Sequence, residues 1–189
     1  MAPETGGWIK GLTLKGRFHF VALHYGEDAL RQVLQELSAE SRETLAKRVT
    51  ATSWYPFSLQ LELDDAICTV LMGSQAEEDY RRLGAGNAAF QFAENTRQPA
   101  TNPHLVAQSV AHLYQRYQRP GRMDYRRVDT HRAGIDVLEG VCVPRSCWVN
   151  AGYLTEAVSQ AGVADVKVAV TGCGATPSRC HYDVRWHPA

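Results

Sequence analysis

The chain has 189 residues, 20 basic against 20 acidic side chains, and 44% hydrophobic residues. That length suits one domain with a real core, and the composition excludes a disordered chain. Zero net charge argues against general nucleic-acid binding, which rests on excess positive charge. No apolar run approaches the roughly 18 residues of a membrane span, and Met1 to Lys10 lacks an apolar signal core. The expectation is a soluble, cytoplasmic protein.

Residues 1 to about 120 read mainly as helix. Leu12, Leu14, Phe18, Phe20, Val21 and Leu23 form an apolar segment of ambiguous type, read as helix from about Lys15. From Gly26, residues Leu30, Val33, Leu34 and Leu37 make one amphipathic stripe. Glu27 and Asp28 suit its first turn, where the helix dipole favours anions. Ser38 or Ser41 restarts a shorter helix through Leu45 and Val49. Ser53-Trp54-Tyr55-Pro56 reads as a helix start, with Leu63, Ile67, Val70 and Leu71 continuing at helical spacing. Trp54 and Tyr55 are large amphipathic rings. They serve either as a hydrophobic anchor or as a pocket wall.

Between Glu77 and Phe92, Gly84-Ala85-Gly86-Asn87-Ala88-Ala89 formally matches a dinucleotide-binding string. That fingerprint must follow a strand and open a helix. Here a polar, helix-forming run precedes it, so a small-residue stripe for close helix packing is the better reading. Asn102 and Pro103 start another helix, with Val106, Val110, Leu113, Tyr114 and Tyr117 on one face. His104 and His112 project roughly 140° from the centre of that face and are expected on the solvent side.

Pro120-Gly121 ends the helical half. Met123 and Tyr125 open an alternating stretch, and Ala133, Ile135 and Val137 answer it after a turn at Asp129-Thr130-His131. A helix follows from about Ser146, with Cys147, Ala151, Leu154, Val158 and Ala161 on one stripe and Gly162 as its stop. Val166, Val168 and Val170, then Cys180, Tyr182, Val184 and Trp186, read as a second hairpin. Trp186 is expected in the core or on a pocket wall. Residues 121 to 189 are thus β-β-α-β-β. The fold class is α+β: one domain, 1–189, whose N-terminal helical half packs on a C-terminal antiparallel sheet.

Arg116, Arg119, Arg122, Arg126, Arg127 and Arg132 crowd the junction of the halves, offset by Asp124 and Asp129. A solvated edge is the preferred reading, and a phosphate or acidic-partner site is the sharper one. Asp64-Asp65 and Glu77-Glu78-Asp79 read as solvated carboxylates, because adjacent helical residues do not converge on one site. No metalloprotease, phosphate-loop or nucleophile-elbow motif is present, so no reaction is named.

Four features together resemble a myxobacterial paralogous family of uncharacterised proteins. They are Lys10-Gly11 ahead of an apolar helix, Phe20 to Gly26 leading into the Leu30 helix, Ser53-Trp54-Tyr55-Pro56, and the terminal Tyr182-Asp183-Val184-Arg185-Trp186. That family looks like a distant member of the fold shared by haem-nitric-oxide-binding domains, four-vinyl-reductase domains and transport-particle trafficking subunits. The resemblance implies a pocket between helices and sheet, and either a non-enzymatic ligand-binding or sensory role or an assembly role. The ligand would be a small hydrophobic molecule, and the assembly a homodimer or a complex with a protein partner. Aromatic candidates for the pocket are Trp54, Tyr55, Tyr114, Tyr125 and Trp186. The haem-sensing relatives hold propionates with Tyr-x-Ser-x-Arg. The nearest string, Tyr125-Arg126-Arg127-Val128-Asp129, departs from it, so no haem is expected.

Five cysteines remain, Cys68 reading most simply as core. An odd count without a secretory signal argues against a full disulfide framework. Cys142 and Cys147 are separated by four residues, and Cys173 and Cys180 by six. Zinc sites commonly use two chelating pairs spaced by two to four residues. Burial as small hydrophobes is preferred for these four, with a Cys173–Cys180 pair or a zinc site as alternatives.

Overall fold

A glycine lets two distant segments touch where the first helix begins. In the computed structural model, which describes residues 6–94, 101–174 and 179–189, α1 spans Gly11–Tyr25. Gly11 N and Leu12 N donate to Ser53 O and Ala51 O, each at 3.0 Å. The loop thus satisfies N–H groups that the helix itself leaves open. A Cβ at Gly11 would lie 2.3 Å from Thr50 O, so only glycine permits this approach. The ambiguous apolar segment is this helix, burying Leu14, Phe20 and Val21. Helix α2 (Glu27–Glu36) turns Ala29 and Val33 inward, and α3 (Ala39–Ala46) is capped by the Ser38 hydroxyl.

Trp54-Tyr55-Pro56 is a strand rather than a helix start. Strand β1 (Trp8–Lys10) pairs antiparallel with β2 (Trp54–Pro56) on one side and with β3 (Gln118–Arg119) on the other. The aromatic pair has strand propensity, and its partners lie far away in sequence, beyond the reach of a local pattern. Helix α4 then runs Phe57–Ile67 and passes into a π-helical turn, Cys68–Met72, closed by left-handed Gly73. Helices α5 (Glu77–Glu94) and α6 (Pro103–Tyr117) complete the helical half. Asn102 caps α6 by accepting from His104 N and Leu105 N.

The second half follows the expected α+β plan. Strands β4 (Arg122–Asp129) and β5 (Arg132–Leu138) form one hairpin, and β6 (Ala164–Thr171) and β7 (Arg179–His187) pair as the other. Pairing of β5 with β7 joins them in the order β4-β5-β7-β6, with α7 (Pro144–Ser159) across the inner face. Each edge strand carries a register irregularity, at Arg127/Asp129 in β4 and at Ala164/Lys167 in β6. Ala133, Ile135, Val137, Cys180, Tyr182, Val184 and Trp186 face inward and are buried with Leu154 and Val158 of α7. Trp186 retains 2% exposure, so the final strand has the expected register. The helical half keeps a separate apolar cluster around Leu14, Val33, Leu63, Ile67 and Leu83.

Helices α5 and α7 join these two clusters, backbone against backbone. A Cβ on Gly84 would stand 1.9 Å from Val149 O, and one on Gly152 would stand 1.9 Å from Arg81 O. The small-residue string of α5 is therefore a packing stripe inside a helix, with no strand before it. Alanine is a better helix former than glycine by roughly 0.8–1 kcal/mol. Even so, Gly84→Ala and Gly152→Ala should each destabilise by about 1–3 kcal/mol, because rigid backbone cannot yield to the new methyl. Urea unfolding midpoints check this, and an unchanged or raised midpoint would contradict it.

Candidate functional site: a polar chamber between helices and sheet

Carboxylates and cations in one α-helical half do not all stay at the surface. Arg17 of α1 and Asp64 of α4 are both buried, at 0% and 1% exposure. Arg17 Nε and Nη2 donate to Asp64 Oδ1 and Oδ2 at 2.7 and 3.2 Å. Gln60, one turn earlier on α4, adds a donor to Asp64 Oδ2 at 3.2 Å. The expectation of solvated carboxylates thus fails at Asp64. It fails in part at Asp65, which is half-buried and accepts from the Tyr80 hydroxyl at 2.7 Å beside Arg145. Asp79 is buried too, accepting from Ala76 N and the Ser74 hydroxyl ahead of α5. Neighbours on a helix point about 100° apart, so one can face inward while the next meets solvent.

Arg17 and Gln60 also stand on the wall of a chamber of about 80 Å³ between the two halves. Thr13 of α1 and Asn87 and Gln91 of α5 wall it from the helical side. Tyr114 and Tyr117 of α6, Gln118 of β3, Met123 of β4, and Asn150, Tyr153 and Leu154 of α7 wall it from the other. Gly16 makes room for the Asn87 side chain, since a Cβ there would meet Asn87 Oδ1 at 2.1 Å. Gln91 donates to Asn87 Oδ1 at 3.5 Å and accepts from the Tyr153 hydroxyl at 2.9 Å. Burial pushes the Tyr153 phenol well above its usual range, so it stays neutral. Arg17 Nη1, Gln60 Oε1, Gln118 Nε2 and the Tyr114 hydroxyl are buried without a hydrogen-bond partner among the described residues.

Of the aromatic candidates, Tyr114 is on this wall. Trp54 lies at the surface, with Lys10 Nζ 4.1 Å and the Arg119 guanidinium 4.4 Å from its ring centre. The Tyr55 hydroxyl accepts from Thr50 N at 3.0 Å, bracing the loop ahead of β2. Tyr125 and Trp186 sit beneath the N-terminus of α6, against His104. The imidazole Nδ1 is 2.7 Å from the Tyr125 hydroxyl, Nε2 is 3.1 Å from Thr130 O, and the ring stands edge-on to Trp186 at 4.7 Å. His104 is therefore buried, against expectation, while His112 is exposed as expected. The sheet reaches round the first turn of α6 and covers that side, which a helical wheel alone does not reveal. The polar wall, Arg17 with Gln60 and Gln118, went unnoticed in the sequence because its members lie on three separate elements.

Four of the five cysteines, Cys142, Cys147, Cys173 and Cys180, gather on the inner side of the sheet. The sulfurs of Cys147, Cys173 and Cys180 lie within 4.8 Å of one another. The bonded pair is Cys147–Cys173, not Cys173–Cys180. Strand β7 holds Cys180 in the core, while the chain after β6 turns Cys173 towards the first turns of α7. Cys173 Sγ also lies 3.9 Å from Cys142 O, and Cys142 is buried alongside. Burial pushes the Cys180 thiol up to about 12, against the pull of a bond with Tyr182. Metal binding needs thiolates. A zinc ion here would require an opened disulfide and deprotonated thiols. Cys68 is buried in the helical cluster.

The outer face of the sheet is polar. Arg122, Arg126, Arg132, Lys167, Arg179 and Arg185 share it with Asp124, Asp136 and Asp183. Partial burial raises the Asp183 carboxyl, but bonds from Arg132 and Arg185 outweigh this and hold it below its ordinary range.

No protein-family model matches the sequence, and no curated protein matches it. Solved structures do match in fold. The chain is similar to an Fe(II) unliganded H-NOX protein from K. algicida, with TM-score 0.70 and 9% identity over 96% of this chain and 98% of that one. An S. oneidensis H-NOX protein in the Fe(II)NO ligation state gives 0.69 and 11%, covering 95% and 99%. An oxygen-binding H-NOX domain related to soluble guanylate cyclases gives 0.63 and 11%, covering 95% and 94%. The architecture is thus H-NOX-like.

The chamber does not fit haem. Benzene already occupies a cavity of roughly 150 Å³, and a porphyrin is far larger than benzene. No imidazole or thiol lines the wall, and both ring nitrogens of His104 are engaged elsewhere.

Two outcomes are expected. Arg17→Met should destabilise by about 3–5 kcal/mol, because it strands the Asp64 carboxylate, while Arg17→Met with Asp64→Leu should recover most of that loss. Chemical denaturation of the single and double variants measures both. Alkylation of air-oxidised protein in denaturant should label Cys68, Cys142 and Cys180, with Cys147 and Cys173 labelled only after reduction; mass mapping reads the result.

Proposed function

We propose that this chain is a non-enzymatic, small-molecule-binding domain of the sensory kind, with its ligand site in the chamber between helices and sheet. The observation that carries this reading is the composition of the wall. Elements α1, α4 and α5 supply one side, and α6, β4 and α7 supply the other. A ligand there touches both halves and favours whichever packing of them grips it better. The solved neighbours are named as H-NOX proteins in the Fe(II) unliganded state, the Fe(II)NO ligation state and an oxygen complex, which supports a ligand-binding use of this architecture. The resemblances to myxobacterial paralogues and four-vinyl-reductase domains belong to the same proposal, as does a cytoplasmic location. No helix among the described residues is long and apolar enough to cross a membrane.

A second reading, a subunit that joins an assembly as trafficking subunits do, is favoured by the outer sheet face. Its excess of cations suits an acidic protein partner better than a second copy of itself.

A fragment screen by thermal shift tests the main reading. A ligand at a hundred times its Kd adds about 2.7 kcal/mol, which raises Tm by roughly 5–10 °C for a domain of this size. Val110→Phe, which fills the chamber from α6, should abolish the shift while leaving the protein folded. Shifts that survive the filled chamber, or an empty screen, would overturn the reading.

A further inference from the structure

Resting on the second reading and deepening it, we propose that the outer sheet face takes a phosphoryl group borne on a side chain of a partner protein. The site lies around Asp183 of β7. Strand register places Arg126, Gly134 and Asp183 in one row across β4, β5 and β7. It places Arg132, Arg185 and Lys167 in the next row, across β5, β7 and β6. Like charges directly opposite on a sheet are destabilising, so three cations in one row call for an anion. Asp183 serves two of them. Arg132 Nε and Nη2 donate to its Oδ1 and Oδ2 at 2.7 and 3.2 Å, and Arg185 Nε and Nη2 donate to Oδ2 at 2.9 and 2.7 Å. Both guanidiniums spend the same edge on Asp183, which fixes them side by side. The two side chains are 41% and 60% exposed, and their remaining N–H groups are left to solvent. Arg126 and Lys167, both exposed, form no hydrogen bond or ion pair among the described residues. Gly134 lets Arg126 lie down across the sheet, since a Cβ there would stand 3.3 Å from both Arg126 Nη2 and His181 Cε1.

Charge selects the guest. Asp129 lies within electrostatic reach of Arg132, so four cations face two carboxylates. Asp136 is committed to Arg179 and His181, and Asp124 to Arg122. Arg127 and Asp165, at the two edge irregularities, offset each other in charge and form no ion pair with the rows. The surplus is two positive charges. A phosphomonoester carries about −1.5 to −2 at pH 7 and offers three acceptor oxygens, where a glutamate offers a single charge and two oxygens. Guanidinium forks match phosphate bidentately. Neighbouring strands stand about 4.8 Å apart, so one tetrahedral group set over the row can reach Arg132 and Arg185 together. The rows stand on an open face, whereas a small ligand is held by burying most of its surface in a concave site. That favours a phosphoryl group brought by a larger partner, whose own surface shuts out water. Asp124, Asp136 and Asp183 break up any continuous cationic track, which disfavours a nucleic-acid backbone or an anionic membrane.

The test offers the immobilised full chain three libraries of short peptides with randomised flanks and phosphoserine, serine or glutamate at the centre. Phosphoserine peptides should be retained. The best of them, titrated while the Nε–H signals of Arg132 and Arg185 are followed by NMR, should bind about tenfold tighter than its glutamate counterpart and than inorganic phosphate. Arg126→Gln should weaken that peptide about fivefold with the urea midpoint unchanged. If the variant fails to fold, the phosphoserine-to-glutamate ratio in the unaltered protein decides alone. Glutamate peptides binding as tightly as phosphoserine ones would overturn the phosphoryl assignment, yet leave an acidic partner standing. Inorganic phosphate binding as tightly as any phosphopeptide would overturn the partner as its source. Phosphatidylserine vesicles binding in preference to the phosphopeptides would overturn it in favour of a membrane. Retention of neither acidic library would overturn both this proposal and the second reading, and would leave the chamber untouched.

Discussion

The separation between the helical half and the sheet is set by the crossing of α5 over α7. Gly84 and Gly152 bring backbone to backbone there, and neither helix can move closer or tolerate a larger residue. Everything between the halves inherits that spacing. Val149 of α7 reaches across into the helical cluster, while Leu154, farther along the same helix, serves the sheet cluster. The chamber is the space left beside this crossing.

The second constraint is electrostatic. A buried guanidinium–carboxylate pair contributes little net stability compared with apolar residues of the same volume. Its effect is to select one arrangement, because every competing register of α1 against α4 strands a charge. Holding Arg17 against Asp64 also orients the guanidinium, whose Nη1 stays buried without a partner among the described residues. The architecture matches H-NOX proteins over nearly the whole chain at 9–13% identity. At that distance the likeness concerns the path of the backbone, and the lining has to be read from this chain's own side chains.

Much of the fold was legible because it repeats a local period. The stripe of α2, the cap at Asn102, both β-hairpins and the inward register of Cys180, Tyr182, Val184 and Trp186 all follow from neighbours in sequence. What escaped notice depended on partners far along the chain. Strand β2 exists because Trp8–Lys10 lies beside it. His104 is buried because Thr130 and Trp186 close over it. Asp64 is buried because Arg17, 47 residues earlier, meets it. The site was least legible of all. Glutamine and asparagine on helices carry no periodic signal that separates a chamber wall from a wet surface, and aromatic size drew attention to rings of which only Tyr114 reaches the chamber.

The irregularities in β4 and β6 have a consequence for the protein in concentrated solution. An open sheet offers unpaired backbone groups along its two outermost strands, and such rims template fibrils and promiscuous chain-to-chain pairing. Here the outermost ladders are interrupted near the ends of the hairpins, at Arg127/Asp129 and Ala164/Lys167, and Asp165 is turned into a left-handed conformation beside the second break. A newcomer strand cannot stay in step along a rim that kinks, and Lys167 would leave its charge among the newcomer's side chains. The sheet can therefore leave its broad outer side uncovered without inviting growth from its margins.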